Sequence, residues 1–205
     1  MRRETATGQS MLEMLIVLPL LTFVGFALIQ LLWLFLAQQM LQTATVFVTR
    51  QASLDGGNII RQMETLYRRM EPLPGKATHV PLVIRLHPSN EQVRRYGEDT
   101  LKNGERYLRM PTDFSLVRLN NLRFDEREEW LRARILQYEV VWCQPLRVPV
   151  AAPVMAYFLR YTLDDKQQYC NLQGAGREPM KAITAKAAAP LQAPLEVRWR
   201  DIAAR

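Results

Sequence analysis

The sequence predicts an α+β protein in which one long N-terminal helix crosses a membrane and leads into a small domain with an antiparallel sheet. Three observations support this prediction. A run of 24 residues, Met14 to Ala37, contains no charged side chain. The segment after this run contains neither glycine nor proline before Gly56. Beyond it, short apolar and aromatic stretches alternate with turn residues, which is typical of a small α+β domain.

The composition fits one domain plus a membrane anchor. The chain has 205 residues and a net charge of +7, from 27 Lys and Arg against 20 Asp and Glu. Basic and acidic residues are interleaved along the chain. The net charge therefore indicates a general positive electrostatic field and no dedicated nucleic-acid surface. We therefore expect membrane lipid, and no nucleic acid, among the partners.

The uncharged run is long enough to span a bilayer. As a helix it would measure about 36 Å, against a hydrocarbon core of about 30 Å. A buried core helix is the alternative, but apart from Thr22 and Gln30 the run shows no polar face. We predict a span at about residues 14–37.

The flanks of the run predict its orientation. Arg2 and Arg3 precede it, and no Lys or Arg follows before Arg50. The positive-inside rule therefore puts the N-terminus in the cytoplasm and the C-terminal domain across the membrane. A removable secretory signal is the alternative. Its apolar region would be about 7–15 residues long and end at a small-x-small site, which "FLAQQM" does not provide.

A glutamate lies one residue before the run, in "GQSMLE". A carboxylate at the bilayer centre costs about 2.5–3.5 kcal/mol and less near the interface, so the simplest interpretation leaves Glu13 in the headgroup region without a role. A second interpretation starts from a cut after Gly8, which gives Gln9 a new α-amine. Amines and carboxylates of neighbouring subunits would then pair and relieve each other's burial. A side-chain-free glycine before the bond suits a peptidase.

The stretch "GQSMLEMLIVLPLL", after a short basic leader, resembles a type IV prepilin signal. It is most similar to the start of TadE-like proteins, G-x-x-x-V-E-F-A-L-V-x-P-x-L-L. Pro19 stands at the proline of that pattern, while Met14 replaces the phenylalanine and Leu12 a valine. The cysteine-containing segments "WCQPLRVPVAAPVM" and "YCNLQGAGREPMKAITAKAAAPLQAP" also look like later parts of TadE-like proteins.

The resemblance implies a role for each residue of the signal. Gly8 would end a leader of residues 1–8, Gln9 would begin the mature chain, and Glu13 would act in processing or assembly. TadE-like proteins are minor pilins (pseudopilins) of the tight-adherence, or Flp, pilus, and the resemblance implies no enzymatic activity. The domain beyond the helix would be pilin-like.

The same resemblance implies the partners and the location. We expect a prepilin peptidase, other minor pilins, the Flp pilin and an inner-membrane assembly platform as partners, with roles in adhesion and biofilm formation. The chain would lie in the inner membrane with its domain in the periplasm, and the resemblance allows its entry into the pilus after processing. A pseudopilin or anchored periplasmic scaffold of a type II-like secretion system, which shares G-x-x-x-x-E, is the alternative.

The helix is predicted to continue from the span to about Leu54, which gives an N-terminal helix over residues 9–54. Pro19 would kink it or loosen one hydrogen bond. "DGGN" ends the helix, with two glycines suited to a helix C-terminus. Apolar residues beyond the span recur at three- and four-residue spacing, as on an amphipathic helix. These residues are Met40, Leu41, Ala44, Phe47, Val48 and Ala52.

Residues 55–205 are predicted to form one periplasmic α+β domain. The expected elements are a helix over about 58–70, a strand at "VPLVIRLHP", and a short helix capped by Ser89 or Asn90 and stopped by Gly97. From Glu98 to Asn121 we expect mostly loop, with a short strand at "FSLVRL". A strand over about 134–143, a helix near 154–161 and a final strand at "MKAITAKAAAPL" complete the prediction. The strands should pair antiparallel and pack on the long helix.

Two cysteines, Cys143 and Cys170, lie on the side of the membrane where disulfides persist. A bridge between them would contribute roughly 3–4 kcal/mol by loop entropy. Two free buried thiols or half of a metal site are the alternatives, and the topology favours the disulfide. His79 and His87 lie at predicted strand edges, and the sequence contains no P-loop or G-x-S-x-G motif. We predict no catalytic residue, no metal and no cofactor.

Overall fold

A computed structural model describes residues 9–73, 79–102, 104–112, 123–174 and 178–203. The helices are α1 Gln9–Leu54, α2 Ile59–Met70, α3 Asn90–Tyr96, α4 Phe124–Arg132, α5 Ala151–Arg160, α6 Asp165–Gly174 and α7 Trp199–Ala203. The strands are β1 Leu82–His87, β2 Glu98–Lys102, β3 Glu105–Met110, β4 Ile135–Pro145, β5 Met180–Pro190 and β6 Leu195–Arg198. The predicted α+β class, with a long N-terminal helix and antiparallel sheets, is confirmed.

The chain forms two compact units. The first unit contains the chain up to Ala37 together with Cys143–Ala182, and the second unit contains Gln38–Trp142 and the chain from Ile183 onward. The unit boundaries thus fall inside α1, β4 and β5. The residue that we predicted as a domain boundary, Leu54, is the end of α1.

The C-terminal part of α1 belongs to the core of the second unit. Its buried apolar residues recur every three or four positions, which puts them on one helix face. They are Leu41, Ala44, Val48 and Ala52. This is the predicted amphipathic face, except that Met40 is only half-buried and Phe47 is exposed. The guanidinium of Arg69 lies over the Phe47 ring, 3.8 Å from its centroid.

Two glycines end α1 and allow the chain to pass close to a strand. Gly56 and Gly57 have φ angles of 68° and 86°, in the left-handed region that glycine adopts without strain. The Gly57 amide donates to the Ala52 carbonyl at 2.9 Å. A Cβ on Gly56 would lie 2.6 Å from the Pro194 carbonyl oxygen, so the chain permits no side chain there.

The first sheet has the order β1-β4-β5. β1 pairs antiparallel with β4, with Leu82 opposite Val141 and Ile84 opposite Glu139. β4 is the middle strand, and its residues from Tyr138 to Pro145 are buried on both faces. This explains why the predicted strand shows a continuous aromatic and β-branched run instead of alternation.

The second sheet has the order β2-β3-β6 and is antiparallel throughout. The prediction that residues 98–121 are mostly loop is wrong for its first part, because β2 and β3 form a hairpin there. Lys102 lies opposite Glu105, which leaves a two-residue connection with the sequence Asn-Gly. Asn-Gly between alternating residues is a strong hairpin signal. The strand predicted at "FSLVRL" lies outside the described residues.

One hydrophobic cluster joins α1 to the strands of the second unit. Its buried members are Ala52, Val93, Leu108, Met110, Ala133, Leu136, Tyr138, Leu191, Leu195 and Ile202. The Ser53 carbonyl also accepts hydrogen bonds from the amides of Gln192 and Ala193, at 3.2 and 2.7 Å. Within this unit the strands therefore pack on the long helix, as predicted.

Cap residues define the two shorter helices that the sequence predicted. Asn58 caps α2 through its side chain, which accepts from the Ile60 amide at 3.0 Å. Ser89 and Gln92 form a reciprocal capping box at the start of α3. Gly97 ends α3, and its amide donates to the Val93 carbonyl.

The first unit and the C-terminal end differ from the prediction at four elements, one of which is the unpredicted helix α7. α5 begins at Ala151, earlier than the expected 154, because Pro153 lies in the first turn, where a missing N–H costs nothing. α6 was not predicted. β5 is not the final strand, since β6 follows it and pairs with β3.

Candidate functional site: the membrane-spanning N-terminal helix

The predicted processing site adjoins the first described residue, Gln9. Gly8 is outside the described residues, and α1 begins at Gln9. Glu13 follows four residues later, which is about one turn or 6 Å along the axis. Its side chain is exposed. The backbone at Gln9 and the Glu13 side chain therefore lie on the same side of one helix.

The next part of α1 presents apolar side chains outward in all directions. Four of these side chains are each at least 60% exposed: Met14, Ile16, Leu21 and Leu32. The described part of the chain buries few of the apolar side chains next to them. A core helix of a soluble protein would bury these side chains. The helix is long and apolar enough to cross a membrane once, so lipid is the natural solvent for this surface.

A cleaved signal peptide would have the same apolar character, but the fold argues against it. The helix does not stop after the apolar run, and its continuation supplies Leu41, Val48 and Ala52 to the core of the second unit. Cleavage within or just after the run would separate these residues from their helix. α1 is therefore a retained single-pass anchor.

Pro19 lies inside α1, which continues through it without interruption. A proline has no N–H to donate to the carbonyl four residues earlier, here that of Leu15. One turn later the Thr22 hydroxyl donates to the Leu18 carbonyl at 2.8 Å, a local bond of the kind that stabilises membrane helices near prolines. The predicted kink at Pro19 stays a prediction.

One polar residue of the apolar run, Gln30, is fully buried. Gln30 accepts a hydrogen bond from the Val148 amide through Oε1 at 3.0 Å, within the first unit. Among the described residues its Nε2 has no partner. The sequence showed Gln30 only as an interruption of the apolar run. Its contact with a residue 118 positions away was not predictable from that pattern.

The two cysteines form a disulfide in the first unit. Cys143, in β4, and Cys170, in α6, have Cα atoms 5.3 Å apart, and both side chains are buried. Gln167 adds a second link one turn earlier in α6. Its Nε2 donates to the Met180 carbonyl at 2.7 Å, and its Oε1 accepts from the Ala182 amide at 3.0 Å. α6 is thus attached to β4 and β5 by covalent and polar links.

The second unit contains an open cleft of about 610 Å³ beside α2. Its charged groups are largely paired: Lys102 with Glu196 at 2.6 Å, and Asp55 with Arg61 at 3.3 Å. Tyr138 lines it, and burial raises the pKa of its phenol. Among the described residues, no three His, Cys, Asp or Glu side chains are grouped to hold a metal ion.

These features define a class: a single-pass membrane protein whose anchor helix continues into the core of an α+β fold. Within that class, residues 8–50 match the family model described as TadE-like protein. The matched segment begins at the predicted cleavage glycine, Gly8, and includes Gln9, Glu13 and Pro19. It covers about a fifth of the chain and neither cysteine.

The match makes the N-terminal segment similar to TadE-like proteins, as its sequence pattern predicted. Neither a curated protein nor a solved structure matches the chain.

Proposed function

We propose that the chain is a minor pilin, or pseudopilin, that assists the assembly of Flp pili. It would be made as a precursor, inserted with its leader in the cytoplasm and cut between Gly8 and Gln9 by a prepilin peptidase of the inner membrane. The observation that carries this proposal is the TadE-like match that begins at Gly8 and includes Glu13.

A cut at this bond is compatible with the fold. The cut would remove residues 1–8 and would leave the described contacts of α1 with the second unit in the mature chain. The new α-amine would stand at the first turn of α1. A positive charge is unfavourable at a helix N-terminus, where the helix dipole is also positive. A carboxylate nearby would offset this cost.

Glu13 is the carboxylate closest to that amine along the helix. Because it lies about 6 Å further along the axis, it would meet the amine of a parallel neighbour displaced by about one turn. Pairing at that offset relieves both groups of an unpaired charge at the lipid boundary. Glu13 would therefore set the axial register between this chain and a pilin subunit.

The remaining parts of the proposal follow from this docking step. The domain would lie in the periplasm and select its neighbours among other minor pilins, the Flp pilin and the assembly platform. Loss of the chain would then reduce piliation, and with it adhesion and biofilm formation.

The experiment that tests cleavage is the mass of the N-terminal peptide, isolated from membranes of the native host. We expect a peptide that begins at Gln9, and the mass also distinguishes a free, methylated or cyclised N-terminus. Gly8→Leu should leave the precursor uncut. The matched control is Gly25→Leu, since a side chain on Gly25 meets nothing within 4 Å. A native chain that begins at Met1 would overturn the proposal.

A deletion strain separates the Flp pilus from a type II-like secretion system. We expect loss of surface pili and of adhesion, with secretion of folded exoproteins unchanged. Normal pili and adhesion with impaired exoprotein secretion would assign the chain to the secretion system. The proposed processing site would be unaffected by that result.

A further inference from the structure

α5 carries an apolar stripe on its exposed face. Val154, Tyr157, Phe158 and Tyr161 are 41%, 61%, 69% and 72% exposed. Their spacing of three, one and three residues puts them on one side of the helix and its C-terminal turn. The rings contact each other, with Tyr157 lying 5.7 Å from Phe158 and 5.4 Å from Tyr161 between centroids. A soluble surface rarely presents such a patch without a partner.

The helix that carries the stripe, α5, is fixed to the rest of the first unit. Ala151 and Ala152, at the start of α5, are buried. The Leu159 carbonyl accepts a hydrogen bond from the Asn171 side chain of α6 at 3.4 Å. α6 is in turn fixed by the disulfide of Cys170. The stripe is therefore presented by a braced helix.

The hydrogen bond between Gln30 and Val148 gives the depth of α5 relative to the membrane. From Glu13 to Gln30 the helix rises about 25 Å. With Glu13 at one boundary of a hydrocarbon core of about 30 Å, Gln30 lies just inside the other boundary. The Val148 amide bonds to Gln30, and α5 begins three residues later at Ala151. The start of α5 thus lies at the membrane surface.

The side chains of the stripe match that location. Tyrosine and other aromatic rings concentrate at the headgroup level, where the ring is apolar and the hydroxyl stays wet. Arg147 and Arg160 are exposed before and at the end of α5, and Asp164 and Asp165 follow it. The helix itself therefore carries a single charge, and that charge is positive.

We propose that α5 is an interfacial helix that inserts this aromatic stripe into the leaflet next to Gln30. Lipid fits better than a protein partner because the first unit also contains the exposed apolar surface of α1. Because the start of α5 lies at the depth where the bilayer ends, the same lipid can receive the stripe. The stripe would fix the rotation and tilt of the anchor, which a single helix leaves free. The proposal does not depend on the pilus assignment.

The test places a nitroxide label at Phe158→Cys in the full chain, reconstituted in phosphatidylethanolamine and phosphatidylglycerol vesicles. The native cysteines are joined in the disulfide, so the introduced thiol is the one that reacts. Leu101→Cys is the matched control, because Leu101 is an apolar residue of β2 in the second unit and is 78% exposed. We expect oxygen to relax the label at 158 severalfold more than an aqueous nickel chelate does, and the reverse at 101.

Two results would overturn the proposal. Equal nickel accessibility at 158 and 101 would put the stripe in water. Protection of the 158 label from both reagents would mean that protein covers it. Leu163 lies two residues after Tyr161 and is 89% exposed. If the stripe is the anchor, a label at Leu163→Cys should become more accessible to the nickel chelate when Tyr157→Ser, Phe158→Ser and Tyr161→Ser are added than it is in the otherwise native chain. An intact disulfide, verified by mass, shows that the first unit of this variant is folded.

Discussion

At the scale of single residues, two polar side chains lie at opposite ends of the apolar surface of α1. Glu13 lies where the helix enters the lipid, and Gln30 is buried about 25 Å further on. The sequence pattern singled out Glu13, because a charge beside an apolar run is visible without a structure. The role of Gln30 depends on Val148, and such a distant contact leaves no local pattern.

The first residue-scale prediction concerns Glu13. Glu13→Gln removes the charge but keeps the size, so membrane insertion and cleavage should persist while pilus assembly falls strongly. Counting surface pili, alongside the mass of the N-terminal peptide, measures the two steps separately. Glu64→Gln is the control, since Glu64 is an exposed glutamate of α2 that pairs with Arg68. Normal piliation in the Glu13 variant would refute the docking role.

A second residue-scale prediction concerns Tyr138, whose hydroxyl accepts from the buried Gln62 amide at 3.3 Å. Burial raises the pKa of Tyr138, so the folded state holds the proton more tightly than the unfolded state. The associated stability is present below the ordinary tyrosine value of about 10 and is lost as pH rises through the higher folded value.

Tyr138→Phe should therefore lower the free energy of unfolding by about 1 kcal/mol at neutral pH. The variant should also lose less stability than the native protein as the pH rises above about 10. Denaturant unfolding of both proteins in detergent, at neutral and alkaline pH, measures the two effects. An alkaline slope that is unchanged in the variant would contradict the assignment to Tyr138.

The third residue-scale prediction concerns the turn before α5. Val150 has a φ of 68°, and the Ala151 amide donates to the Pro149 carbonyl across it at 2.8 Å. A γ-turn of this hand is strained for a β-branched residue. Val150→Gly should stabilise the protein by roughly 1 kcal/mol, the difference between relieved strain and lost backbone entropy. A lower unfolding temperature for the variant would show that the valine side chain contributes more than the strain costs.

At the scale of elements, the sequence predicted those whose burial is apolar and periodic. α1, α2, α3 and β4 were found because their apolar residues or caps follow the rules of a helix or a buried strand. α6 was missed because its buried positions include Gln167 and Gly174, so its packing is polar and shows no apolar stripe. The start of α5 was predicted too far along the chain because the apolar face of this helix is the exposed one.

The element-scale prediction compares two glycines with positive φ. Gly104, at the β2–β3 turn, has open space around it, so Gly104→Ala should cost only the backbone strain of about 1–2 kcal/mol. Gly56→Ala carries the same strain and also drives a Cβ against the Pro194 carbonyl at 2.6 Å. It should be more destabilising by about 1–3 kcal/mol. Equal losses in denaturant unfolding would mean that the end of α1 is not held against the strand.

At the scale of the whole molecule, membrane topology and the disulfide make a joint prediction. The pairing of Cys143 with Cys170 was favoured from topology alone, since two cysteines across the membrane persist as a disulfide. The structure pairs them within the first unit. The number of free thiols per chain therefore reports the compartment in which the domain lies. Chains with the domain outside the cytoplasm carry no free thiol, whereas inverted chains carry two.

Host cells are lysed in denaturant together with a large maleimide, which then reaches free thiols from either compartment, and each addition appears as a gel shift. We expect no shift in the native chain before reduction and two additions per chain afterwards. Arg2→Glu with Arg3→Glu weakens the positive-inside signal, so a fraction of that variant should invert and react without reduction. Reaction of both thiols in the unreduced native chain would put the domain in the cytoplasm. It would then be out of reach of a pilus that grows from the other face of the membrane.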